Sequence, residues 1–66
     1  MMTIKIKQDG ILKKEFNNAE SDGIALGWML RHQGNSTDYA MRYDGYTVEL
    51  INEETKESEF WKPYSK

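Results

Sequence analysis

Sixty-six residues without a cysteine allow a single domain, one that buries only about 60% of the surface its unfolded chain exposes, and they exclude both a disulfide framework and a thiolate metal site. Nine basic residues against eleven acidic ones give a net charge of −2 and a pI near 5.3, the wrong sign for a chain held to nucleic acid by its overall field. The longest apolar run, residues 24–30, is broken by Gly27 and falls well short of the roughly 20 residues of a membrane span.

The N-terminus alternates apolar residues with lysine where a secretory leader would build an apolar block. A reducing, cytoplasmic setting without membrane contact is therefore expected. No repeat or low-complexity tract interrupts the chain, so residues 1–66 are expected to form one unit.

Residues 2–7 alternate with period two, Asp9-Gly10 follows, and residues 11–16 resume an extended pattern, which predicts a hairpin. A two-residue loop would set Ile6 opposite Lys13 and Ile4 opposite Glu15. A three-residue loop of Gln8, Asp9 and a left-handed Gly10 sets Ile6 opposite Leu12 and Met2 opposite Phe16, and is preferred because one apolar face results.

A helix over about 18–33 is predicted next. Asn17 can cap it in a reciprocal arrangement with Glu20, and Ser21 offers a later start. Ala19, Gly23, Leu26, Gly27 and Leu30 recur at helical spacing, widened by Ile24 and Trp28, and define the face expected to pack on a sheet. Both glycines fall on that stripe, which predicts a close helix-to-sheet approach that a side chain at Gly27 would block. Arg31 and His32 suit the last turn and Gly34 the cap beyond it.

Residues 39–43 and 46–51, separated by Asp44-Gly45, predict a second hairpin. It would place Tyr43 opposite Tyr46, Arg42 diagonal to Glu49, and Tyr39, Met41, Tyr43, Tyr46, Val48 and Leu50 on one face. After a polar turn at 52–56, a short further strand over 57–62 is an option, with Pro63 ending any ladder. The expectation is an α+β domain of order β-β-α-β-β, an antiparallel sheet of four strands, with a fifth optional, packed on one helix.

Little in the chain points to catalysis, and no cofactor is expected. His32 is the lone histidine and has no thiolate to join it, so no metal site is expected. Ser36 and Asp38 lie near it in sequence, but no nucleophile motif surrounds them. No glycine-containing turn resembles a phosphate loop.

Charge and aromatic content say more. Residues 1–16 set Lys5, Lys7, Lys13 and Lys14 against Asp9 and Glu15, whereas residues 44–59 set Asp44, Glu49, Glu53, Glu54, Glu57 and Glu59 against Lys56, so the segments carry +2 and −5. Two tryptophans, four tyrosines and two phenylalanines exceed what so small a core encloses. Trp28 and Phe16 suit the core, while Trp61, Tyr64, Tyr43 and Tyr46 are expected at the surface.

Aromatics rimmed by acids have the composition of an interface. The expected function is a non-enzymatic protein-binding domain, a small inhibitor or modulator of a larger protein with a basic surface. Trp61, Tyr64, Tyr43 and Tyr46 would make contact, and Glu53, Glu54, Glu57 and Glu59 would steer. In size and style the chain is similar to accessory proteins of bacteriophages and other mobile elements, an analogy of type that rests on no residue match. The alternative is a nucleic-acid module that lays Lys5, Lys7, Lys13 and Lys14 along phosphates.

Overall fold

The computed structural model describes residues 1–34 and 36–61. The chain runs β1 (Met2–Gln8), β2 (Ile11–Ala19), α1 (Gly23–Gln33), α2 (Thr37–Tyr43), β3 (Tyr46–Asn52) and β4 (Ser58–Phe60). The strands form one antiparallel sheet of order β2-β1-β3-β4. The α+β class and the four-stranded sheet are as the sequence predicts. The element order differs, because a second helix stands where a strand was expected and the optional last strand completes the sheet.

The central pairing joins β1 to β3 without interruption, from Met2 opposite Asn52 to Gln8 opposite Tyr46. With side chains alternating along each strand, Ile4, Ile6, Tyr46 and Val48 turn to one face and are buried there with Ala19, Ala25, Met29 and Ala40. Met2, Phe16, Trp28, Met41, Leu50 and Trp61 pack around this cluster, half-buried. The other face of the sheet, carrying Thr3, Lys5, Lys7, Thr47 and Glu49, bears neither helix.

The first hairpin closes on two residues, Asp9 and Gly10, both at positive φ (51° and 84°), with Gln8 opposite Ile11. These values fit the primed turn that matches strand twist, and they replace the expected three-residue loop. The expected clean apolar face does not form on β2: Leu12 falls on the helix-free side and Lys14 on the helix-bearing side, and Ile11 and Leu12 are exposed. Lys7 lies opposite Leu12 and Ile6 opposite Lys14, so Lys13 is an extra residue that shifts the register and brings Phe16 opposite Ile4. The tip is also tied down from outside: Asp9 N donates to Gly45 O at 2.9 Å, and Gln8 Nε2 donates to Asp44 O at 3.0 Å.

Helix α1 starts at Gly23, close to the later start near Ser21, and not at Asn17. Asn17 and Asn18 remain in β2, with Asn18 at φ 58° beside a second register shift, a conformation that asparagine tolerates. The Asn18 amide donates to the Glu53 carboxylate at 2.8 Å, so the partner that decides the local structure lies 35 residues away and is not Glu20. Gly34 ends the helix as expected, left-handed, its N–H donating to Leu30 O at 3.2 Å.

The buried face of α1 is also rotated from the expected stripe. Ala25 and Met29 are buried, while Ile24, Leu26 and Leu30 are exposed, Leu30 at 59%. Ala25 and Met29, not the glycines, form the inward face of the helix. A Cβ on Gly27 would meet only the Arg31 guanidinium, at 3.6 Å.

Residues 39–43 belong to α2. Ser36 caps it by accepting from Tyr39 N at 3.2 Å, Arg42 pairs with Asp38 at 3.0 Å, and the Tyr39 and Tyr43 rings approach to 4.9 Å. The last two are the i,i+4 contacts that support a helix. Thr37 and Ala40 face inward. Alternation at Tyr39, Met41 and Tyr43 fits period two, but a seven-residue window fits the helical period as well. Arg42 consequently sits with Asp38 and not diagonal to Glu49, and Tyr43 does not face Tyr46.

Two glycines separate the two backbone roles. Gly27→Ala should raise stability by about 0.5–1 kcal/mol, since the helix gains propensity and the methyl group meets no backbone. Gly45→Ala should lower it by more than about 1 kcal/mol, because Gly45 holds φ 74° and a Cβ there runs into the Asp9 carboxylate. Urea denaturation of both variants checks the pair.

Candidate functional site

The connection from β3 to β4 is built around Asn52. Its Oδ1 accepts from Glu54 N at 2.9 Å and from Thr55 N at 3.1 Å. Its backbone N donates to Glu57 O at 2.8 Å, and its carbonyl accepts from Lys56 N at 2.8 Å. Asparagine suits this place because its short amide can satisfy amides two and three residues on. Glu57 N donates to Thr55 Oγ1 at 3.3 Å, and β4 then pairs with β3, Leu50 opposite Glu59. The acidic segment is thus held in a defined shape.

Along this end of the sheet lies an open cleft of about 480 Å³. Met2 and Leu50 contribute its apolar lining. Asp22, at the start of α1, and Glu57 and Glu59, before and in β4, are its acidic lining residues. Thr55, Ser58 and Asn52 add polar groups, and no lysine or arginine lines it. Carboxylates around apolar carbon suit a lysine or arginine side chain, whose stem covers the apolar surface while its head meets the acids. Among the described residues no group of three or more histidine, cysteine or carboxylate side chains could hold a metal ion.

The expected contact residues separate. Glu57 and Glu59 line the cleft, and Glu54 is exposed in the turn beside it. Glu53 turns elsewhere: Oε2 accepts from Asn18 N at 2.8 Å and from Thr3 Oγ1 at 2.9 Å, clasping β1, β2 and the turn together. Its carboxyl is held below the ordinary range, chiefly by the Asn18 amide and then by the Thr3 hydroxyl.

Tyr46 is not a surface residue. It is 3% exposed in the core, and burial, helped by the Asp44 carboxylate, raises its phenol above the usual value. Tyr43 is 70% exposed on α2, beside Tyr39. Trp61 is half-buried against the core, its backbone N–H donating to Val48 O at 2.9 Å. Tyr64 and Pro63 lie outside the described residues, as does the end of the strand expected over 57–62, of which Ser58–Phe60 forms β4.

The four lysines do not share a face. Lys5 and Lys7 lie on the helix-free side, and Lys5 stands between Glu15 and Glu49 on the neighbouring strands. Lys14, opposite Ile6, is on the helix-bearing side with its ammonium 5.3 Å from the Phe16 ring. Lys13 is the extra residue of the bulge. Carboxylates flanking Lys5 offset the field a phosphate backbone would need.

His32 stacks on Trp28, centroids 4.8 Å apart, with Nδ1 3.1 Å from Trp28 O. Ser36 caps α2 and Asp38 holds Arg42, so the three residues closest to a hydrolytic set in sequence each have a structural task.

Asp22, Met2 and Leu50 were not singled out by the sequence. They join Glu57 and Glu59 only once β1 pairs with β3 and α1 starts at Gly23, and no local pattern announces either. Comparison with family models, with curated proteins and with solved structures finds no match to this chain.

The Glu53 clasp makes stability depend on pH with a defined sign. A carboxyl held lower in the folded chain than in the unfolded one stabilises fully above the unfolded value, near 4.3 for glutamate. That contribution is lost as pH falls through the folded value. Glu53→Gln should therefore be less stable than the wild-type chain at pH 7, and the difference should narrow on acidification below about pH 4. Denaturation midpoints at pH 7 and pH 3 check it; a difference that grows in acid rejects the clasp.

Proposed function

We propose that this chain is a non-enzymatic protein-binding domain, a small modulator of a larger protein, whose acidic cleft receives a lysine or arginine side chain from a basic surface. The observation that supports this reading is that Asp22, Glu57 and Glu59 line one open cleft together with Met2 and Leu50. Three acidic residues from two distant segments line an open cleft with apolar surface, and none of the basic residues of the described chain lines it. Such a site favours a cationic partner twice, by steering at a distance and by charge-assisted hydrogen bonds on contact. Glu54, exposed at the rim, adds to the first effect. A cytoplasmic setting, where a cysteine-free domain of this size is at no disadvantage, fits the same reading.

The nucleic-acid alternative has less behind it, because its lysines are divided between two faces and partly offset by neighbouring acids. A protein partner also gives the exposed aromatics a use. Tyr39 and Tyr43 form a tilted ring pair at the surface, of a residue type enriched at interface anchors.

A short Lys/Arg-Leu peptide titrated into isotope-labelled protein tests the reading. Amide shifts should concentrate at Met2, Asp22, Leu50 and Glu57, and affinity should fall as salt rises. Replacing Asp22 and Glu57 by lysine should weaken binding at least about tenfold, mainly through slower association, while leaving the melting temperature within a few degrees. Shifts scattered over the surface, or binding that survives the double replacement, would reject the cleft. Tight, steeply salt-dependent binding of single-stranded DNA through Lys5 and Lys7 would reinstate the alternative.

A further inference from the structure

The two outer strands of the sheet carry opposite charge and complementary geometry. β2 stands at one end of the strand order and β4 at the other, so among the described residues each has a strand neighbour on one side only. Unpaired strand edges are templates for another strand. β2 offers Lys13 and Lys14, and β4 offers Glu59 with Glu57 just before it. From these we infer that copies of this chain associate head to tail, the β4 edge of one pairing with the β2 edge of the next to continue the sheet.

Strand direction agrees. β1 is antiparallel to both β2 and β3, and β3 to β4, so β2 and β4 point opposite ways within one molecule. A second copy shifted along the sheet, with its helices on the same side, thus brings β2 to β4 as an antiparallel neighbour.

Side-chain direction agrees as well. Lys14 lies opposite Ile6 and Glu59 opposite Leu50, and both partners face the helix-bearing side. A register with Lys14 opposite Glu59 is therefore allowed, and it sets Glu15 opposite Ser58 and Lys13 opposite Phe60, with no like charges facing. Lysine on an edge normally deters pairing, and two β2 edges meeting antiparallel would bring lysines together. Against an acidic edge the same lysines attract, so they select β4 over β2. The contact is heterologous and propagates into a ring or a filament.

Sedimentation velocity on the full chain tests this. At low ionic strength the wild-type protein should form concentration-dependent assemblies that dissociate in high salt. Lys14→Glu and Glu59→Lys should each be monomeric, since each opposes like charges, and their equimolar mixture should assemble again. Because Lys14 covers Phe16, the fold of each variant is checked by circular dichroism.

Should a variant unfold, zero-length carbodiimide cross-linking of a mixture of light and isotopically heavy wild-type chains serves instead, with a Lys14–Glu59 peptide joining light to heavy as the expected product. A wild-type chain that stays monomeric at low salt, a mixture that fails to reassemble, or an acidic peptide bound at β2 of a chain that never self-associates would overturn the inference. Peptide binding in the cleft is read separately, through Asp22 and Glu57.

Discussion

The pairing of β1 with β3 is the constraint on which the remainder depends. It joins residues 2–8 to residues 46–52 in an unbroken register, and all other strand contacts are local hairpins added on either side. Closing a loop of nearly forty residues is a long-range event with an entropic cost, offset by the burial of Ile4, Ile6, Tyr46 and Val48. Burying a side chain of this size contributes about 1.5–3 kcal/mol. Once this pair is central, the basic N-terminal hairpin must lie on one half of the sheet and the acidic C-terminal hairpin on the other. An asymmetry written along the sequence becomes an asymmetry across the molecule.

The same pairing explains which features a linear reading could reach. The β1-β2 hairpin, the alternation of Tyr46, Val48 and Leu50, and the end of α1 at Gly34 all depend on neighbours within a few residues, and each was legible. Asn17 was misleading because its capping box with Glu20 is locally sound, yet Glu53 competes for the same stretch of backbone through Asn18 and Thr3. Tyr39, Met41 and Tyr43 misled for a different reason. Their spacing fits both periods, and the Ser36 cap and the Asp38–Arg42 pair decide for the helix. Tyr46, taken for a surface aromatic, is buried because its strand is central and not the arm of a separate hairpin. Of the candidate site, Glu57 and Glu59 followed from charge alone, whereas Asp22 required tertiary structure.

The helical layer is thin. Its buried side chains are Ala25, Met29, Thr37 and Ala40, three of them small, so the helices remove little apolar surface from water. Leu26 and Leu30 remain outside at 42% and 59% exposure. Stability is accordingly uneven: the central strands carry most of the buried side chains, and the helices and outer strands carry fewer.

The cleft follows from that thinness. Because α1 begins only at Gly23, nothing helical lies over Met2 and Leu50, and this end of the sheet keeps apolar surface that a larger protein would bury. Left alone, such surface would bind any apolar partner. Asp22, Glu57 and Glu59 around it change the selection, since an apolar group entering the cleft would strip water from three carboxylates and return nothing to them. The lysine or arginine proposed to enter would satisfy both halves, its carbons against Met2 and Leu50 and its charge against the acids. In the proposed binding mode, selectivity would come from what the carboxylates lose to the wrong partner as much as from what they gain with the right one.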